Sequence, residues 1–186
     1  IIPCMIGRLI KKKLNANKLA NVFVNSLLEA TENGFEDVRA MINEDSAFVS
    51  YPEVNDDSMD RFLLVVIVGN LRFLDTYFEV TEAREIRTQI VRKFSNIYEI
   101  EEHDFEQVIQ KYGAFVSRVN HPSKNTLYGM SKAVFHKFKL NDHQESYFKN
   151  MHTPNPLFLK RMDEIMMNFL WDWDEFFKKH KMNFNH

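Results

Sequence analysis

The chain has 186 residues, with 24 lysines and arginines, 26 aspartates and glutamates, and one cysteine, Cys4. That near balance of charge removes any global attraction to nucleic acid or to an anionic membrane, and a lone cysteine excludes an internal disulfide and every multi-cysteine zinc or iron–sulfur motif. Seventeen phenylalanines against five glycines and five prolines indicate long regular elements around an aromatic-rich core, so the expected fold is all-α, a single-domain helical bundle of about seven to eight helices spanning residues 1–186.

In chain order, residues 5–13 read as a short basic helix in which Arg8, Lys11, Lys12 and Lys13 interrupt Ile6, Leu9 and Ile10. Taken with its flanks, the stretch 1–14 is a basic amphipathic helix that packs its isoleucines on the body and keeps its lysines wet. Peripheral contact with an anionic membrane through 1–14 is the rival reading and is not expected, because so few cations attract weakly. A helix over 15–32 carries Leu19, Val22, Phe23, Leu27 and Leu28 on one side, and Asn33-Gly34 supplies a left-handed stop. Residues 35–43, with Val38, Met41 and Ile42, then form a second hairpin arm. Tyr51-Pro52 and Asn55-Asp56-Asp57 mark 46–57 as a surface loop, and Ser58 caps the next helix.

Residues 59–78 are apolar almost all round from Phe62 to Val68. The β-branched run also suits a strand, but the length of the segment favours a helix surrounded by others. The uncharged run 62–71 is half of the roughly 20 residues needed to cross a bilayer, so no transmembrane segment is expected. Thr81 caps a helix over 82–98 with Ile86, Ile90, Val91 and Phe94 inward and arginines outward. Another helix over 99–118 opens on Glu99, Glu101, Glu102, Asp104 and Glu106, where the helix dipole favours negative charge. After the break at Asn120-His121-Pro122, Ser123 caps a helix over 124–140, and Asp142 with Glu145 opens a short one over 144–151. Asn155 and Pro156 then start a long final helix, whose Phe158, Met162, Ile165, Phe169, Trp173 and Phe176 form a helical stripe wide enough for a globular core.

Little here carries catalytic chemistry. No Gly-rich phosphate loop or nucleophile elbow is present, Cys4 has no identifiable base, and Gly69 and Gly113 read as close helix contacts. None of the seven histidines has another three or four residues away, so a metal at His103 or His136 would need carboxylates brought in by tertiary folding. No catalytic, cofactor or metal residues are therefore assigned. Trp171, Asp172, Trp173 and Glu175 form an aromatic–acidic edge that could receive a protein partner, set against the simpler reading of a polar helix face followed by C-terminal lysines.

The expected function is a non-enzymatic protein-interaction module acting on a protein partner, or on a second copy in a homodimer, through Trp171, Asp172, Trp173 and Glu175. An exposed Trp171 would favour it. The alternative is a small-molecule-binding or sensor domain that leaves an apolar pocket between helices, which a cavity of several hundred cubic ångströms with convergent polar groups would favour. A metal-dependent hydrolase ranks third. No nucleic acid partner is expected, and the cytoplasm is the expected compartment.

Overall fold

Nine of the thirteen residues of the helix Met59–Leu71 are buried, an unbroken run from Val65 to Leu71 among them. A helix without a polar face must be covered on all sides, and the chain wraps this one accordingly. The computed structural model describes residues 11–184. Within them run β1 Lys12–Leu14, α1 Ala16–Glu44, α2 Met59–Leu71, α3 Leu74–Tyr77, α4 Val80–Ile97, α5 Glu102–Asn120, α6 Thr126–Lys137, α7 Ser146–Met151, α8 Pro156–Met166, α9 Trp173–Lys179 and β2 His180–Met182. Helix α2 packs against α1, α5 and α6, while α4 lies along α1 and α8 closes on α6. The fold is all-α, with the central helix where the sequence placed it.

Close approach to α2 depends on Gly69. A methyl group there would lie 2.2 Å from the Met130 sulfur, so the missing side chain lets α6 sit directly on α2 as the sequence suggested. Gly113 is looser, its added Cβ meeting Val68 at an ordinary 3.5 Å.

Several element boundaries differ from expectation for identifiable reasons. Helix α1 runs straight through Asn33-Gly34, because Gly34 has an ordinary negative φ and serves as a contact for the Phe169 ring, which an added Cβ would meet at 2.8 Å. The expected hairpin is one helix of 29 residues. The segment 59–78 breaks at Arg72-Phe73 into α2 and the single turn α3. Ser58 makes no side-chain cap; Glu79 caps α4 through a reciprocal box with Glu82, displacing Thr81 from that role, and Asn125 caps α6 instead of Ser123. Neither does Glu145 cap α7 with its side chain. Asn155 and Pro156 do start α8 as expected.

At the N-terminal side, Lys12 and Lys13 lie in a strand that pairs parallel with His180–Met182, so the expected helix over 5–13 is not formed at these positions. The rest of that helix, and of the stretch 1–14 before Lys11, lies outside the described residues. Among the described residues, no helix is long and apolar enough to cross a membrane.

Two polar anchors tie distant parts of the chain. Asp45, whose side chain is 1 % exposed, accepts both arms of the Arg161 guanidinium, each at 2.6 Å, joining the end of α1 to α8. Hydrogen bonding to Asp45 holds the Arg161 pKa above its ordinary value. Gln144 is buried as well; it donates to the Thr153 carbonyl and accepts from the Asn155 N–H, fixing the entry into α8.

Candidate functional site

The final stripe is broken, and the break shapes the surface. After α8 the chain tightens into a 3₁₀ turn, Met167–Phe169, and is extended at Leu170 before α9 begins. Asn70, fully buried in α2, accounts for this. Its amide donates to the carbonyls of Val66 and Phe169, and its oxygen accepts from the Trp171 N–H. Two backbone groups that lose helical partners at the break are thereby satisfied, as buried backbone polar groups must be.

This geometry gives the two tryptophans different exposure while their rings stay 5.7 Å apart. Trp173 is 2 % exposed and sits in an aromatic cluster with Phe23, Tyr77, Phe78, Phe176 and Phe177 at centroid distances of 5.3–6.0 Å. It packs the core instead of standing on an edge. Trp171 is half-buried against Phe23 and opens into a groove of about 350 Å³. One wall of the groove is α1, through Val22, Ser26, Leu27 and Ala30; the other is the break and α9, through Leu170, Trp171, Phe176 and Lys179. Val22 is 40 % exposed on the first wall.

Charge gathers at the rim. Asp172 accepts from the Glu175 N–H as the cap of α9, and Glu175 pairs with Lys179 at 2.8 Å and Lys178 at 3.2 Å. Those two lysines hold the Glu175 carboxyl below its ordinary range, and Glu175 in turn raises Lys179. Of the four residues predicted for a partner surface, Trp171, Asp172 and Glu175 line the groove and Trp173 lies beneath it.

A second recess, of about 420 Å³, lies on a different face, where α6, α8 and residues 152–156 meet. Helix α6 contributes Tyr128, Lys132 and His136; α8 contributes Leu159, Lys160 and Asp163; His152 and Pro154 come from the intervening turn. Lys132 lies over the Tyr128 ring at 4.3 Å. Asp163 accepts from the fully buried Ser131 hydroxyl at 2.5 Å. Burial raises the Asp163 carboxyl despite that bond, whereas burial and then the charges of Lys132 and Arg118 lower the His136 imidazole. Only weak sequence signals pointed here: Lys132 and His136 four apart, Lys160 and Asp163 three apart. Nothing local to either pair shows that α6 and α8 meet.

His103 stands elsewhere, its ring nitrogen 2.8 Å from the Gln107 amide on the outer face of α5. Among the described residues no group of three or more histidines, cysteines, aspartates or glutamates is arranged to hold a metal. The sequence and fold thus define an all-α bundle with an apolar groove and a polar recess. Comparisons with protein-family models, with curated proteins and with solved structures find no match to this chain.

Proposed function

We propose that this chain is a non-enzymatic helical module that binds a protein partner in the groove beside Trp171. One observation carries the reading: an apolar floor of Val22, Leu27, Ala30 and Phe176 beside the partly buried Trp171 ring, whose Nε1 is itself buried without a hydrogen-bond partner, bordered by Asp172, Glu175 and Lys179. Apolar centre and charged rim are the usual anatomy of an interface, and tryptophan is among the residues most often found to dominate one. Two walls of helix and turn leave a trough suited to an amphipathic helix laid along α1.

A photo-crosslinking residue placed at Ser26 in the groove, and separately at the exposed Ala114 on α5, tests this in the cell. Adducts with one discrete protein are expected from position 26 and not from 114. Equal labelling at both positions, or adducts only at 114, contradicts the reading. A second copy of the chain captured at 26 would make the partner a homodimer.

A further inference from the structure

Positive charge is concentrated around α6. Arg61, Arg118, Lys132 and Lys137 make no ion pair among the described residues; each instead lies over an aromatic ring, with Lys137 4.0 Å from the Tyr112 centroid and Arg118 5.2 Å from that of Phe115. Lys160, across the recess on α8, has no ion-pair partner among the described residues either. Such cations repel one another. Arg61 and Arg118, after burial itself, lower the Lys137 pKa. A cluster of this sign without counter-charge costs the free protein stability, and an anion placed among the cations relieves that cost.

The recess beside Lys132 and Lys160 is where an anion can be enclosed. Its one acid, Asp163, already accepts from the buried Ser131 hydroxyl through one of its oxygens. Leu159 and Pro154 supply apolar wall, and His136 and His152 complete the lining. We propose that this recess is a binding site for a small organic anion, a carboxylate or phosphate ester bearing an apolar group, whose charge is held by Lys132 and Lys160 and whose apolar part rests on Leu159. It shares no residue with the Trp171 groove and stands or falls separately from it.

The test is a titration of the whole ¹⁵N-labelled protein with benzoate, with phenyl phosphate, and with benzyl alcohol as the uncharged control, followed by NMR. Saturable shifts confined to α6 and residues 152–163 are expected for at least one anion, with the stronger of the two telling carboxylate from phosphate. The alcohol should bind at least about tenfold more weakly, and Lys132→Ala and Lys160→Ala should each weaken the anion by about tenfold, the effect of losing one charged hydrogen bond. Both lysines are outside the core, and a thermal stability of each variant no lower than that of the wild type shows that the fold is intact. Equal binding of alcohol and anion, unchanged affinity in both lysine variants, or shifts spread without saturation over Arg61, Arg118 and Lys137 would each overturn the proposal. So would the absence of any shift with either anion.

Discussion

The side-chain oxygen of Asn70 accepts a hydrogen bond from the backbone N–H of Trp171 at 2.7 Å, across 101 positions of sequence. A polar residue in the middle of the most buried helix thus decides where the last helical stripe ends. It also sets the angle at which Trp171 meets the groove.

Asn70→Ala should therefore do more than remove a side chain. The Phe169 carbonyl and the Trp171 N–H would each be left without this partner, and a buried orphan costs about 1–3 kcal/mol, so a loss of about 2–4 kcal/mol in urea unfolding is expected. Tryptophan emission should shift to the red as Trp171 loosens. Asn70→Asp keeps the acceptor but loses both donated bonds and buries a charge; its instability should ease on acidification, as the carboxylate is neutralised.

Asp45→Ala leaves the Arg161 guanidinium without its bidentate partner. Loss of one member of a fully buried pair costs about 3–5 kcal/mol, but the Arg161 side chain is 38 % exposed and regains water. A loss of about 1–3 kcal/mol is expected, little changed by salt because Asp45 itself is shielded. Adding Arg161→Met should recover part of it in a double-mutant cycle.

Gly69→Ala should destabilise even though alanine is the better helix former by about 1 kcal/mol. The new methyl meets a fully buried Met130 side chain, and overpacking costs about 1–3 kcal/mol. Met130→Val withdraws the thioether and should restore part of the loss in the double variant, read from the urea midpoint.

The recess confers a pH dependence whose sign follows from His136. Its folded pKa lies below the ordinary 6.5 through burial, Lys132 and Arg118, so the unfolded chain takes up the proton more readily. Stability contributed by this residue is full above about 6.5 and is lost as the pH falls through that value towards the folded pKa. His136→Gln should flatten the thermal-unfolding profile on that side. Asp163 has the opposite bias: its folded pKa is raised from 3.8, so wild-type stability falls as the pH rises above that value. Asp163→Asn should raise the Tm at neutral pH and leave it unchanged in strong acid. Lys132, Lys160, His152 and Arg118 also border these groups, so the two single variants are best compared at fixed salt.

The all-α class was legible because helical spacing is a local property. Phe62, Phe94, Phe135 and Phe158 fall in the core from their period alone, and Asn155-Pro156 starts α8 by ordinary capping chemistry. What the sequence hid was decided at a distance. Asn33-Gly34 resembles a helix stop, yet Phe169 packs on Gly34 and keeps α1 continuous. The stripe from Phe158 to Phe176 looks continuous, yet Asn70 breaks it. Trp173, on the stripe, becomes a core ring and Trp171, off it, a groove wall, their rings still 5.7 Å apart. Lys132 and Lys160 come together only because α6 and α8 pack.

Native mass spectrometry of the purified protein and its Ser26→Arg variant, made side by side without added ligand, tests the groove most directly. A long cation at Ser26 fills the trough while leaving the core untouched, and circular dichroism confirms that both samples fold alike. The expected result is a wild-type complex with a protein partner, a second copy or another chain, that is absent from the variant. A complex that persists unchanged in Ser26→Arg, or a wild type that retains only a small molecule, would contradict it.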